Sequence, residues 1–275
     1  MFKLRLMSTL VLLPLAIAGI LYLPNLYIMI LSSAIIAIAA LEWLRMSMPK
    51  NAYVLLFLLC ALMAVAAGLI YGTNKPLWLY EISLVWWLGA LIGVCYYPRY
   101  AANWKQQVYQ PIIGIIMFVP AWLAFNTLHA QRSGPVLVLL GCALIWGADI
   151  GAYCFGKLWG KTKLLPEVSP NKTWAGLYGG LFTACIIISV YYIIYKPPFT
   201  IVEALGVALI TFTFAVIGDL FESMVKRIYG VKDSGSIIPG HGGMYDRIDS
   251  MLAAFPVYFL CIQTLELLAE MKHML

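Results

Sequence analysis

Charged side chains are concentrated in one stretch of this chain, residues 218–249. Asp, Glu, Lys and Arg make up 11% of the sequence, and hydrophobic residues make up 63%. The stretch nevertheless contains Asp219, Glu222, Lys226, Arg227, Lys232, Asp233, Asp246, Arg247 and Asp249. Carboxylate oxygens are suitable ligands for a hard divalent cation, and Lys and Arg bind phosphate oxygens. This combination suits phosphoryl or nucleotidyl transfer, in which positioning and charge neutralisation supply most of the catalysis.

The spacing within this stretch predicts two helical segments joined by a loop. Asp219, Ser223 and Lys226 recur at i, i+4 and i+7, which places them on one face of a helix. Residues 232–243 are rich in Gly and Ser, so they are predicted to form a loop whose backbone amides can approach a ligand closely. Two further aspartates follow about one helical turn apart. Carboxylates from both segments could therefore converge on one cation.

The part of this stretch from Ser223 to Asp249 resembles the signature of the phosphatidate cytidylyltransferases, also called CDP-diacylglycerol synthases. The similarity is ungapped over 27 residues, which makes it far more specific than a short glycine motif. The matching positions are Ser223, Lys226, Arg227, Lys232, Asp233, Gly235, Pro239, His241, Gly242, Gly243, Asp246, Arg247, Ile248 and Asp249. The resemblance implies a polytopic membrane enzyme that condenses CTP with phosphatidic acid, giving CDP-diacylglycerol and pyrophosphate, with a divalent cation.

A second basic region, residues 156–173, ends in SPNKT, and with the following Trp this sequence resembles another motif of the same family. The polar residues Ser169, Asn171, Lys172 and Thr173 are predicted to form a turn that enters a helix. Hydroxyls, an amide and a lysine near a positive helix N-terminus fit a phosphate or a nucleotide. Helix capping with a snorkelling lysine would explain the same pattern. Beside the longer signature, substrate binding is the favoured interpretation.

Asp149 is an ionisable residue inside an otherwise apolar run. Such a group is costly in lipid and usually faces the interior of a helix bundle or a wet cavity. Its carboxylate could contact substrate or metal-bound water, or it could hydrogen-bond to a neighbouring helix or pair with a lysine. Asp149 is included among the substrate-binding candidates.

The residues and the resemblance together give a mechanistic hypothesis, direct attack by a phosphatidate oxygen on the α-phosphorus of CTP. Mg²⁺ is the expected cofactor, with Asp219, Asp246 and Asp249 as its ligands, and a monovalent cation could share the site. These three residues, with Lys226 and Arg227, are the predicted catalytic residues. The other substrate-binding candidates are Ser223, Lys232, His241, Gly242, Gly243 and Arg247.

His241 is assigned to phosphate contact and not to base catalysis. A phosphomonoester has a second pKa of about 6, so the lipid phosphate is already largely ionised near neutral pH. The five acids and four bases of the stretch could instead form salt bridges that only hold the helices in place. Glu222 and Asp233 are the candidates for such a structural role. Near the end of the second apolar run, Glu42 beside Arg45 is most simply an interfacial anchor.

The rest of the composition predicts an all-α, polytopic integral membrane protein. Mean hydropathy is +0.89. A helix that spans a membrane needs about 17 to 25 residues, and nine apolar runs in the sequence are close to that length. The predicted spans are Met7–Leu23, Leu26–Leu41, Ala52–Tyr71, Ile82–Tyr97, Pro111–Leu128, Pro135–Phe155, Trp174–Tyr195, Thr200–Ile217 and Met251–Leu268. The first run imitates a secretory signal peptide, but further spans follow at once, so a first membrane helix is expected.

Basic residues accumulate in cytoplasmic loops of membrane proteins, and this rule predicts the orientation. With the N-terminus inside, 14 of the 18 Lys and Arg residues fall in inside segments. The N-terminus is therefore predicted to be cytoplasmic and the C-terminus outside the inner membrane, with a polar active-site cavity that opens to the cytoplasm. Residues 1–110 would form spans 1–4, and residues 111–275 the catalytic region of spans 5–9 with cytoplasmic loops 156–173 and 226–250.

The expected partners are CTP, phosphatidic acid and membrane lipid, and the resemblance adds a homodimer. The net charge of +6 is explained by loops that face anionic lipid, so nucleic acid is not expected as a partner. A transporter would more typically show two related halves, whereas the charge here is concentrated at one end. CDP-alcohol phosphotransferases and polyprenyl-phosphate transferases are also membrane enzymes with metal-bound Asp clusters. The CDP-alcohol phosphotransferases are marked by a run of Asp and Gly residues along one helix, and this sequence does not contain that run.

Small residues recur in the later apolar runs. Gly147 with Gly151, and Gly176 with Gly180, form GxxxG pairs that permit close helix contact. Packing within the fold is favoured over a dimer motif, because a bundle of many helices has many internal contacts to make.

Overall fold

A computed structural model of the chain describes residues 13–48, 50, 52–71, 77–237 and 242–274. Within these ranges most residues are helical. In chain order the elements are α1 (Leu13–Tyr22), α2 (Asn25–Ser47), α3 (Ala52–Tyr71), α4 (Leu77–Cys95), α5 (Ala101–Trp104), a 3₁₀ turn (Gln107–Tyr109), α6 (Gln110–His129), α7 (Gly134–Trp159), β1 (Lys163–Leu165), β2 (Ser169–Thr173), α8 (Trp174–Tyr195), α9 (Ile201–Tyr229) and α10 (Tyr245–Met274).

Seven helices are long and apolar enough to cross a membrane, counted over the described residues. They are α2, α4, α6, α7, α8, α9 and α10. This confirms the all-α, polytopic membrane class. Of the other two predicted spans, α3 has the predicted bounds, and α1 lies within Met7–Leu23, of which residues 7–12 lie outside the described residues. The count of nine stays a prediction, as do the orientation, the cytoplasmic cavity and the division at residue 110.

α9 and α10 extend beyond their apolar parts and carry the polar end of the bundle. α9 starts with a capping box, in which the Glu203 N–H donates to Thr200 Oγ1 at 3.2 Å and the Thr200 N–H donates to the Glu203 carboxylate at 2.7 Å. It continues well past the predicted span end at Ile217 and stops at Gly230, whose φ of +70° suits glycine. The face predicted from the spacing of Asp219 and Lys226 is therefore helical.

The ring of Phe221 on α9 is fully buried among four tryptophans from α2, α4 and α5. The ring centroids lie 5.6 to 6.3 Å from that of Phe221 and belong to Trp43, Trp86, Trp87 and Trp104. Trp43 is stacked with Phe221 and the other three rings make edge contacts, and both arrangements are favourable for aromatic pairs. Because Glu222 follows Phe221 directly, this aromatic cluster fixes the depth and rotation of α9 at its polar end.

The region 156–173 contains an antiparallel hairpin that the sequence analysis did not predict. β1 pairs with β2, with Lys163 opposite Thr173 and Leu165 opposite Ser169. The predicted turn was wrong, because residues 169–173 form a strand, but the predicted entry into a helix is confirmed, since the strand leads directly into α8. Thr173 is buried, and its Oγ1 accepts a hydrogen bond from the Gly176 N–H at 3.1 Å. This is the capping interaction that was the alternative interpretation of the motif.

α7 and α8 pack closely through the GxxxG glycines. A Cβ atom added at Gly151 would lie 2.8 Å from the Gly179 carbonyl oxygen of α8, and one added at Gly180 would lie 2.9 Å from the Ala148 carbonyl oxygen of α7. Real Cβ atoms essentially never approach so closely, so these positions require glycine while the helices keep their separation. The prediction that the pairs serve packing within the fold is confirmed.

Replacing Gly151 by Ala should lower the melting temperature of the protein in detergent. The added methyl group would force α7 away from α8, and overpacking of this kind costs about 1–3 kcal/mol. Gly206→Ala on α9 is the matched control, because the added Cβ meets nothing within 4 Å and Ala is a better helix former than Gly. Equal melting temperatures for the two variants would contradict the packing argument.

Candidate active site

Three carboxylates meet at the polar end of α9 and α10. One oxygen each from Asp219, Glu222 and Asp249 lies within 4.8 Å of the other two. The Glu222 side chain is 2% exposed and that of Asp219 is 30% exposed, so the cluster extends from a buried group to an accessible one. Like charges at such distances repel, and burial adds to the cost of each negative charge. The three oxygens are close enough to share one cation, and these three residues are called the carboxylate triad below.

The triad differs by one member from the predicted metal ligands. Asp219 and Asp249 come together as expected, but the third carboxylate is Glu222, not Asp246. Glu222 was assigned a structural role because some ion pairing is expected among five acids and four bases in one stretch. Its i, i+3 spacing from Asp219 was the signal that could have identified it, since the same spacing drew attention to Asp249.

Lys226 joins the triad to Asp246. Its Nζ lies 2.7 Å from Glu222 Oε1 and 3.0 Å from Asp246 Oδ1. Asp246 also accepts hydrogen bonds from the Ser234 N–H at 3.0 Å and the Gly243 N–H at 2.8 Å, both to Oδ2. Asp246 is the second residue of α10, and its carboxylate binds backbone amides of the preceding loop. Its contacts thus organise that loop.

The two basic regions converge, as the sequence predicts. Lys172 on β2 forms an ion pair with Asp219 of the triad. The Arg227 Nε lies 3.5 Å from the Val168 carbonyl oxygen in the turn of the hairpin. The hairpin is therefore held against the polar end of α9, with one lysine at the triad and one arginine at its turn.

Asp149 lies on α7 and interacts electrostatically with Asp219, Lys172 and Arg247. Asp249 interacts in the same way with Asp219, Lys172 and Asp149. The predicted intramembrane carboxylate therefore belongs to the electrostatic surroundings of the triad, although it is not one of its three members.

The remaining predicted substrate-binding residues differ in how exposed they are. Ser223 is half-buried one turn beyond Asp219, Ser169 is half-buried in the hairpin, and Asn171 and Lys232 are exposed. Gly242 has a φ of +84°, and a side chain there would meet the Asp246 carboxylate. His241 lies outside the described residues.

Glu42 contributes to this end of the structure, and its predicted role as an interfacial anchor was wrong. It is 4% exposed, so it is not an interfacial anchor. Its Oε2 accepts hydrogen bonds from the Tyr245 N–H at 2.9 Å and from Ser234 Oγ at 3.1 Å. A carboxylate from α2 thus reaches the same loop that Asp246 binds. No local pattern could reveal a contact between residues 203 positions apart.

The triad fits the expected metal by the chemistry of its donors. All three ligand atoms are carboxylate oxygens, which suit hard cations such as Mg²⁺. Two of them come from one helix and the third from its neighbour, so the ligand set depends on how α9 packs on α10.

The sequence profile of the family described as "Cytidylyltransferase family" matches residues 3–265 of the chain. A phosphatidate cytidylyltransferase of Pseudomonas aeruginosa is 35% identical over 260 residues, which cover 94% of this chain and 96% of that protein. One from Haemophilus influenzae is 32% identical over 94% of this chain and 97% of its own length. One from Bacillus subtilis is 44% identical over about half of each chain, 48% and 49%. These similarities confirm the resemblance drawn from the signature, and the chain, a multi-pass membrane protein, belongs to the cytidylyltransferase family.

Proposed function

We propose that this protein transfers the cytidylyl group of CTP to phosphatidic acid, giving CDP-diacylglycerol and pyrophosphate. The names of the relatives support this reaction. The observation that carries it is the carboxylate triad, flanked by Lys172 and Lys226 where apolar helices reach their polar ends. A cation site beside fixed ammonium groups, at the edge of a lipid-facing bundle, suits a reaction between a nucleoside triphosphate and a lipid phosphate.

In the proposed reaction a phosphate oxygen of phosphatidate attacks the α-phosphorus of CTP. The new oxygen–phosphorus bond forms as the bond between the α-phosphorus and the oxygen that bridges to the β-phosphorus breaks, and pyrophosphate leaves with that electron pair. The lipid phosphate needs no strong base, because its second pKa is about 6. The task of the protein is to hold two anionic substrates together and to neutralise them.

Asp219, Glu222 and Asp249 would hold a divalent cation, and Mg²⁺ suits their oxygen donors. When bound, the cation neutralises charge on the phosphate oxygens and polarises the α-phosphorus. Lys172 would orient an anionic group next to Asp219, its partner in the ion pair. Lys226 balances Glu222 and Asp246, and we assign Asp246 to organising the loop, although it was first expected as a ligand. A second, monovalent cation stays a prediction.

Arg227, Arg247 and Lys232 are exposed near this end of α9 and α10, where they would attract the anionic substrates. We propose that this end faces the cytoplasm, because 14 of the 18 basic residues fall on that side in the predicted topology and CTP is available there. Lipid substrate would enter from the bilayer around the helices. The homodimer expected from the resemblance stays a prediction.

Release of pyrophosphate by the purified protein in detergent tests the proposed function. Turnover should require CTP, phosphatidate and Mg²⁺ together, and ATP or GTP should not replace CTP. Diacylglycerol is the control lipid, since it has the same acyl chains but no phosphate nucleophile. Pyrophosphate release that continues with diacylglycerol, or none at all in a folded and lipid-supplemented preparation, would contradict the proposal.

A further inference from the structure

We propose that Glu42, on α2, is a positioning residue for the active site, and this inference rests on the proposed function. The catalytic region was expected to begin after residue 110, so a contribution from α2 lies outside it. Glu42 touches none of the proposed metal ligands. It acts through the loop between α9 and α10, which supplies backbone amides to Asp246.

The environment of Glu42 is that of a buried carboxylate with specific partners. It is 4% exposed, and a buried carboxylate is costly unless hydrogen bonds compensate it. One of its donors is the backbone N–H of Tyr245, the first residue of α10. The free N–H groups at a helix N-terminus favour a negative charge. Glu42 therefore caps a helix that begins 203 residues later in the chain.

The loop is also shaped to fit this carboxylate. A Cβ atom added at Gly235 or at Gly243 would collide with the carboxylate oxygens of Glu42. Gly243 is buried and donates its N–H to Asp246, so Glu42 packs against one side of this residue while Asp246 binds it from another. Loss of the Glu42 side chain would leave a gap beside Gly235 and Gly243.

A continuous set of contacts links Glu42 to the triad. Ser234 donates its hydroxyl to Glu42 at 3.1 Å and its N–H to Asp246 at 3.0 Å. Asp246 then binds Lys226, which binds Glu222. Glu42 and Asp246 both bind Ser234, and each also binds a backbone N–H at the start of α10 or just before it. The positions of Asp246 and Lys226 therefore depend on these described ends of the loop.

Removing the Glu42 carboxylate should loosen the loop and misplace these groups without dismantling the fold. A misplacement of about 1 Å can cost about a hundredfold in rate, so Glu42→Ala should lower kcat about ten- to a hundredfold. The KM for phosphatidate should change much less, because Glu42 is not expected to touch either substrate. Glu42→Gln keeps an acceptor for Tyr245 and Ser234 but loses the charge, so its kcat should lie between those of the wild type and the Ala variant.

The test combines steady-state kinetics with hydrogen exchange of the purified full-length protein, measured by mass spectrometry. Glu42→Ala should exchange faster than the wild type in peptides from residues 231–250, with peptides of α7 and α8 unchanged. Glu81→Ala is the matched control, because Glu81 is an exposed glutamate on another membrane-spanning helix, α4. It should leave both exchange and kcat at wild-type values.

Unchanged exchange of residues 231–250 in Glu42→Ala would overturn the proposal, whatever the activity. Faster exchange throughout the chain in both Glu42 variants would overturn it too, because it would make Glu42 a general structural residue. If the proposed function is wrong, the wild-type protein will release no pyrophosphate, and this result is independent of the exchange measurement. The exchange measurement then still decides whether Glu42 holds the loop.

Discussion

Replacing Asp249 by Asn should lower turnover by about a thousandfold or more while the protein stays folded. The change removes one of the three negative charges of the triad, and a metal-held transition state loses several kcal/mol of stabilisation, with about 1.4 kcal/mol for each factor of ten. The Asn side chain keeps a carbonyl oxygen that can still accept from the Ser250 N–H, the 2.7 Å contact of Asp249 Oδ1. Pyrophosphate release and a melting curve measure the two parts of this expectation.

A comparison of Mg²⁺ titrations separates Asp249 from Asp246. Asp249→Asn should raise the Mg²⁺ concentration needed for half-maximal activity, whereas Asp246→Asn should lower the rate without shifting that concentration. Glu266→Gln is the control, because it makes the same chemical change at an exposed position of the same helix and should be fully active. A shift in the Mg²⁺ requirement for Asp246→Asn alone would exchange the roles of the two aspartates.

Lys226→Met should destabilise the protein strongly as well as inactivate it. Lys226 is the cation between Glu222 and Asp246, whose side chains are 2% and 6% exposed. Removing one partner of a buried ion pair leaves an uncompensated charge, at a cost of about 3–5 kcal/mol. The melting temperature in detergent should therefore fall clearly, whereas Lys105→Met, at an exposed lysine, should leave it unchanged.

The double variant Lys226→Met with Glu222→Gln tests the cause of this loss. It removes one of the two buried negative charges that Lys226 balances, Glu222, and leaves Asp246 with its backbone donors, so the melting temperature should recover in part while activity stays low. A double variant that is less stable than Lys226→Met would mean that Glu222 stabilises the fold by contacts other than this pair. Wild type, Lys226→Met, Glu222→Gln and the double variant form a double-mutant cycle that measures the coupling energy between Lys226 and Glu222.

The elements of the fold were largely predictable, because apolar run length and helical spacing are local properties. The spacing of Asp219, Ser223 and Lys226 correctly indicated a helix that continues beyond the apolar part of α9. Lys172 and Asp219 were assigned to the same site from two separate motifs, and the two residues form an ion pair. In each case the signal was present within a short window of sequence or in the charge of a whole loop.

The details of the site were less predictable, because they depend on which partner a carboxylate finds in three dimensions. Asp246 and Asp249 lie one turn apart, yet Asp246 is in the first turn of α10, where free backbone amides of the loop are within reach. Asp249 is deeper in the helix and faces α9 instead. The hairpin was not predicted, because its strands are short and lack the alternation of apolar and polar residues that indicates a strand. The pairing also joins residues ten positions apart, Lys163 and Thr173.

The aromatic cluster around Phe221 limits how freely parts of this chain can be exchanged with those of related proteins. The tryptophans that enclose the ring belong to α2, α4 and α5, while the ring itself precedes a member of the triad. A chimera joined near residue 110 would keep these tryptophans and take the residue at position 221 from the other parent. If that residue does not fill the space of the Phe221 ring, the hybrid would keep its hydropathy profile while α9, with Asp219 and Glu222, would shift against the other helices.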